Sequence, residues 1–488
     1  MLFNSFQFLV FFIIVTTAYF VLPHKYRWFL LLGSSCYFYM VFVPIYILIL
    51  CFTIVVDYFA GILLETSRGN KRKYYLIASL IANIGMLAIF KYYNFLNDNL
   101  TSLLHVGGYQ NPIPHLSILL PIGLSFHTFQ AMSYTIEVYY QKQKAERKFG
   151  IFALYVMYYP QLVAGPIERP QHLLHQFYEE HYFDYNRVTD GLKLMVWGLF
   201  QKVVIADRIA VIVDNVYNNP YEYQGISLIL ATVLFSFQIY CDFSGYSDIA
   251  IGASQVMGIT IMKNFNRPYQ SKSIREFWGR WHISLSTWFR DYLYISIGGN
   301  RVSIPRWYFN LFIVFLISGL WHGANWTFVI WGALHGFYMV FGLATKSIRA
   351  KMTQQLGLNK LPRFSNALKI ITTFFLVTFA WIFFRANSIS IAFFIIKRSI
   401  TGLYDEIFNL FHHLPLILPV VPSKIELLIG IIAIALMEAI HVLQNRYSIR
   451  DWIRTKPAYM RWGMYYAIIL LIIFFGVFEN RQFIYFQF

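Results

Sequence analysis

Charge is what this chain has least of. Of its 488 residues only 13% are Asp, Glu, Lys or Arg, about half of the roughly 25% that soluble domains use to coat their surface. A soluble protein of this length is excluded on that ground. Cysteine is scarce as well: Cys36, Cys51 and Cys241 are the three in the chain, far apart and within apolar segments. They provide neither a disulfide framework nor metal-ligand spacing, and the histidines lack carboxylate or cysteine companions at ligand spacing. No glycine-rich nucleotide loop, dinucleotide fingerprint, internal repeat or low-complexity tract is present. The first residues, MLFNSFQ, carry no basic side chain, and no small-residue cleavage pattern follows, so no cleavable signal peptide is expected.

What the chain has is grease. It is 58% hydrophobic and 20% aromatic, and apolar runs such as 6–22, 45–64 and 75–90 approach the roughly 20 residues that cross a bilayer. The fold class is therefore an all-α polytopic membrane protein. A net charge of +17 would suit nucleic acid or anionic lipid, but its distribution points elsewhere. The basic residues form short runs between apolar spans: Arg68–Lys73, Lys142–Lys148, residues 346–363 and residues 446–461. That is the positive-inside bias of cytoplasmic loops, and no nucleic-acid partner is expected. With the N-terminus outside, spans near 6–22, 28–43, 45–64, 75–91 and 115–139 place the first two runs inside and the Lys/Arg-free stretch 94–114 outside. Spans near 307–325, 326–343, 367–384, 424–443 and 462–479 do the same for the last two. One integral membrane domain is expected over 1–488, with N-terminal helices in 1–115, a motif-rich core in 116–343 and C-terminal helices in 344–488.

Between 120 and 340 polar residues enter the apolar runs. "PIGLSFHTFQAMSYTIEVYY" (121–140) holds His127, Gln130 and Glu137; "YPQLVAGPIERP" (159–170) holds Gln161, Glu168 and Arg169; "GLFQKVVIADR" (198–208) holds Lys202, Asp207 and Arg208; "FQIYCDFSGYSDIAIG" (237–252) holds Asp242 and Asp248. Ionisable groups at membrane depth usually face the protein interior or a water-filled cavity, and the prolines and glycines predict broken or re-entrant helices. The plainer expectation is pairing: Asp242 and Asp248 with Lys202 or Arg208, His127 as a hydrogen-bonded packing residue, and Gly165-Pro166 as a turn.

Two stretches concentrate histidine with tryptophan and glycine. In 275–294 a helical period puts Trp278, His282, Leu285, Phe289 and Tyr292 on one face and Arg280, Ser284, Thr287 and Asp291 on the other. Glu276 and Arg280 fall at i,i+4 spacing for an ion pair, and Gly298-Gly299 stops the helix. An amphipathic helix at the cytoplasmic interface fits, yet His282 then sits on the aromatic face, where an imidazole needs a partner or a task. Pattern alone supports either a structural or a functional reading of it. In "SGLWHGANWTFVIWGALHG" (318–336) His322 follows Trp321 and is flanked by Gly323, Asn325 and Trp326. Small residues let a substrate approach, tryptophans exclude water, and a neutral imidazole there can serve as general base. A histidine bonded to a neighbouring helix is the alternative. His335 is expected to be structural.

"FWGRWHISLSTWFRDYLYISIGGNR" with "GLWHGANWTFVIWGALHG" resembles the signature pair of the membrane-bound O-acyltransferase (MBOAT) family, and the four polar motifs above resemble its companions in the same order. The likeness covers roughly 117–340 and is nearest in kind to the bacterial branch of alginate and peptidoglycan O-acetyltransferases. The teichoic acid D-alanyl transferases share the RWHxSLSxWFRDY-like part. Gly279 and Ser296 depart from residues common in the acetyltransferases, a basic one and a proline, without replacing a catalytic group.

The resemblance implies roughly 11–12 transmembrane helices, with re-entrant or interfacial helices, around a central funnel. It implies that His322 and His282 are the active-site histidines and that acyl transfer from a thioester, acetyl-CoA, is the chemistry, with no permanently bound cofactor. His322 would deprotonate an acceptor hydroxyl, and His282 would hold the acceptor or stabilise the oxyanion. Trp321, Trp281, Ser286 and Asn325 are the expected funnel residues, Asn325 orienting His322 or donating to substrate. Arg280, Arg290 and Arg301 are candidates for the cofactor's phosphates, or else simple topology charges. The family also implies a bacterial inner-membrane location, an extracytoplasmic GDSL-like acetyltransferase partner and association with polysaccharide biosynthesis machinery. D-alanyl transfer is the alternative within the family. A transporter using Asp242, Asp248 and Lys202 as an ion path is the alternative outside it.

Overall fold

The computed structural model describes residues 1–117, 121–412, 423–478 and 483–484. Among them there is helix and loop but no strand, as a chain that must satisfy its backbone inside a membrane requires. Among the described residues, eight helices are long and apolar enough to cross a bilayer: Pro44–Thr66, Asn70–Val106, Gly225–Met257, Ile304–His322, Trp326–Ala344, Pro362–Arg385, Lys424–Gln444 and Ala458–Phe475. The chain is thus an all-α, multi-pass membrane protein. Other helices are too short by that measure, as Phe6–Val21 and Leu124–Tyr139 are, or too charged, as Ile389–Phe411 is with Lys397, Arg398, Asp405 and Glu406. The span expected near 115–139 is a helix only from Leu124, and residues 118–120 lie outside the described residues. So do residues 413–422. The proline-rich motif 159–170 forms two four-residue helices, Tyr159–Leu162 and Pro170–Leu173, in keeping with broken helices.

The chain divides into two compact units. The first contains residues 1–195 and 246–263. Its spans are locked by polar bonds in an apolar setting, where each is hard to exchange for water. Ser79 Oγ donates to buried Asp57 at 2.6 Å, and the Asn83 amide donates to both carboxylate oxygens at 3.0 and 2.9 Å. In the proline motif, Glu168 is fully buried and joins His172 at 2.8 Å, and it also accepts the Met262 backbone N–H. His127 corrects an expectation. It is buried, and among the described residues neither ring nitrogen has a hydrogen-bond partner.

The second unit contains residues 196–245 and 264–484. The expected pairing of Asp242 with Lys202 is present here, at 2.6 Å, and Asp207, not expected as a partner, lies 2.8 Å from the same ammonium. Arg208 instead pairs with Glu426 and donates to the Phe475 carbonyl. Lys202 stands on a π-helical turn, Phe200–Ala206, a local widening that no periodicity in the sequence announces. The helices Ile304–His322 and Trp326–Ala344 form an antiparallel pair whose backbones nearly touch at Gly319 and Gly332. A Cβ on Gly332 would lie 3.0 Å from the Gly319 Cα, so only glycine fits.

Candidate active site

The stretch 275–294 is not one amphipathic helix. It forms a short helix Ile274–Trp278, a break, a second helix Ile283–Trp288 and a π turn Phe289–Tyr294. The cause lies in another segment. Asn266 N–H donates to the Arg280 carbonyl at 2.9 Å and Ile283 N–H to the Asn264 carbonyl at 2.9 Å. The Asn264 side-chain oxygen accepts from Ser284 Oγ at 2.6 Å. These bonds replace the i→i−4 ladder and force His282 to φ 43°, ψ 54°. A non-glycine residue in the left-handed region costs about 1–3 kcal/mol and is concentrated at functional sites. The expected Gly298-Gly299 stop is realised with φ of 106° and 54°.

His282 is fully buried. Its ring meets Phe243 edge-on at 4.6 Å and Trp321 at 6.4 Å. Burial pushes its pKa down to about 3, so the imidazole is neutral at ordinary pH. Phe243 is itself wedged between His282, Phe265 at 5.0 Å and Phe483 at 5.5 Å.

His322 ends the helix Ile304–His322 and is 3% exposed. Trp321 and Trp331 each lie 4.9 Å from its ring, and Phe384 lies 5.4 Å away. The chain leaves the helix through Gly323, where a Cβ would collide with the Phe328 ring. Trp321 contacts both imidazoles, so the two histidines chosen from sequence share one tryptophan wall. Trp281 belongs to the same aromatic body, stacked on Phe277 at 5.5 Å and 5.2 Å from Trp381.

The remaining candidates are placed as follows. Asn325 caps Trp326–Ala344, its side-chain oxygen accepting from Thr327 N–H at 3.0 Å, and its amide donates to the Asn387 carbonyl at 3.3 Å. Those bonds engage it as a cap at the site's edge. Ser286 Oγ donates to the Trp281 carbonyl at 3.2 Å. Arg280 makes the expected pair with Glu276 at 2.6 Å, Arg290 pairs with Asp291 at 2.7 Å, and Arg301 is exposed beyond the glycine pair. His335 behaves as expected of a structural residue on one side: Trp278 Nε1 donates to its Nδ1 at 3.2 Å. Asn264, Phe243, Trp381 and Phe384 were not singled out from sequence. Each comes from a segment remote from the histidines, and no spacing rule connects them.

Among the described residues, eight apolar helices long enough to span a bilayer mark a polytopic membrane protein, and two buried histidines lie in a wall of tryptophan and phenylalanine. The model of the membrane-bound O-acyltransferase family, MBOAT, matches residues 139–389. The chain belongs to this family and is an acyltransferase. It is 40% identical over 396 residues to a protein of Pseudomonas aeruginosa named probable alginate O-acetylase AlgI, covering 80% of this chain and 73% of that one. The peptidoglycan O-acetyltransferase of Helicobacter pylori is 32% identical, over 93% of this chain and 90% of that protein. A teichoic acid D-alanyltransferase of Streptococcus thermophilus is 29% identical over 55% of this chain and 69% of that protein.

Proposed function

We propose that this enzyme is a membrane O-acetyltransferase that modifies an extracytoplasmic polysaccharide, drawing acetyl groups from cytoplasmic acetyl-CoA. The observation that carries the reading is the pair His282 and His322 on one tryptophan wall, buried and adjacent to each other through Trp321. Two relatives named for O-acetylation, of alginate and of peptidoglycan, support the acyl group and the acceptor class. His322 takes the proton of the acceptor hydroxyl as its oxygen attacks the thioester carbonyl, and the C–S bond then breaks. The proton passes from His322 to the departing thiolate, so the coenzyme leaves as a thiol. His282, held at its strained backbone angle, positions the acceptor. Arg280, Arg290 and Arg301 are the guanidinium groups we assign to the phosphates of the coenzyme; the Arg280–Glu276 and Arg290–Asp291 pairs reach solvent and can exchange a carboxylate for a phosphate, unlike the buried Lys202 group.

The inner membrane is the location this reading requires, because donor and acceptor lie on opposite sides of it. A separate extracytoplasmic acetyltransferase of the GDSL-like kind would receive the acetyl group and hand it to the polymer, alongside the polysaccharide synthesis machinery. An ion path through Lys202 fits less well, since both Asp207 and Asp242 already hold its ammonium. The reading is tested on the polymer. Mild alkali should release acetate from the extracellular polysaccharide of cells with the wild-type protein and none from cells with His322→Ala. Release of D-alanine would assign the alternative acyl group, and unchanged acetate in the variant would overturn the role of His322.

A further inference from the structure

Three buried N–H donors stand unused in the aromatic cluster that reaches His322 through Trp331. Trp331, Trp381 and His335 are fully buried, and among the described residues Nε1 of Trp331, Nε1 of Trp381 and Nε2 of His335 have no hydrogen-bond partner. Chemistry fixes the tautomer of His335. Trp278 Nε1 donates to its Nδ1, and an indole nitrogen is a donor only. Nδ1 therefore presents its lone pair, and the ring proton sits on Nε2. All three orphans are donors, and none of the three residues is an acceptor for another.

The donors belong to one body. The Trp331 ring is 4.9 Å from His322 and 4.9 Å from His335, and it stacks on Trp381 at 5.7 Å and 19°. Trp381 is 6.4 Å from His335, and Phe384 touches Trp331, Trp381 and His322 at 5.2, 5.1 and 5.4 Å. A cluster needed only for packing would be served by phenylalanine, as at Phe384. Nitrogen at three neighbouring positions is expensive to bury unless an acceptor arrives. Sealed from water, such donors act on a developing negative charge far more strongly than they would in solvent.

We propose that Trp331, Trp381 and His335 form an oxyanion cage, whose N–H groups receive the carbonyl oxygen of the acyl donor during transfer. This rests on the acyl-transfer reading of the site. The acceptor oxygen bonds to the thioester carbon while its proton goes to His322, and the carbonyl π electrons move onto oxygen, where the three N–H groups hold the anion. Collapse restores C=O, breaks C–S, and returns the proton from His322 to sulfur. No other reactant is required. The cage leaves His282 to position the acceptor, and gives His335 a task besides accepting from Trp278.

The test removes the N–H and keeps the shape. Benzothienylalanine, in which sulfur replaces the indole N–H, is installed singly at Trp331 and at Trp381 of the full-length protein. Transfer from labelled acetyl-CoA is then followed in proteoliposomes with the partner and polymer. The cage predicts a fall in kcat on the order of 10²-fold, with KM for acetyl-CoA and the thermal midpoint unchanged. His335→Phe should show the same loss, and His335→Gln, which keeps a side-chain N–H, should recover part of it. Unchanged kcat in both sulfur isosteres, or a rise in KM at constant kcat, would overturn the cage. Absence of acetyl transfer by the wild-type protein would instead defeat the acyl-transfer reading, and the cage with it.

Discussion

His282 holds a backbone conformation that few side chains tolerate, and it does so fully buried. The angle is imposed from outside by Asn264 and Asn266, so the residue itself is replaceable as far as folding is concerned if its substitute accepts φ > 0. Asparagine does so readily, whereas a β-branched residue does not. His282→Asn should therefore insert and melt close to wild type while losing transfer. His282→Val should lose transfer and also be destabilised, by about 1–3 kcal/mol for the strained angle. Thermal denaturation in detergent beside an acetyl-transfer assay checks both. A His282→Asn protein with full activity would remove His282 from the site. The histidines were legible in the sequence because they sit among tryptophans and glycines. The left-handed angle was not, since it depends on Asn264, 18 positions upstream of His282 by residue number, in a segment with no motif of its own.

At the scale of elements, helices were read well where one apolar run makes one helix, as at Ile304–His322 and Trp326–Ala344. They were misread where tertiary bonds compete with the local ladder. The amphipathic period of 275–294 is real, yet two backbone bonds to 264–266 break it. The π turns at Phe200–Ala206 and Phe289–Tyr294 leave no trace in hydrophobic spacing. The glycines of the second histidine motif have a specific use: Gly319 and Gly332 let two spans approach until the backbones meet. That approach carries His322, three residues after Gly319, against Trp331, one residue before Gly332. Gly332→Leu forces the helices apart at this crossing. It should reduce transfer by at least ~10-fold even where the protein still inserts, since displacement of a reacting group by about 1 Å can cost 10²-fold. Transfer rates normalised to membrane-inserted protein measure this, and wild-type rates would show that the close crossing does not position His322.

For the whole molecule, composition alone decided the class. A chain with 13% charged residues and 58% hydrophobic ones has little choice but to cover itself with lipid, and the long helices carry exposed residues such as Phe375, Ile432 and Phe474 on their outer sides. Membership of the acyltransferase family was legible from ordered motifs, but the partners within the site were not. Phe384 and Trp381 come from the span Pro362–Arg385, well beyond the histidine motifs, and only folding brings Phe384 to His322 and Trp381 to Trp331. The central claim is that His322 performs acyl transfer inside this aromatic enclosure. Its most direct test is a single-turnover measurement with labelled acetyl-CoA, using purified protein in proteoliposomes with the proposed extracytoplasmic acetyltransferase and comparing wild type with His322→Ala. The account predicts transfer by the wild type and a loss on the order of 10³-fold in the variant, with insertion and thermal midpoint preserved. Label transferred at the wild-type rate by His322→Ala would contradict it.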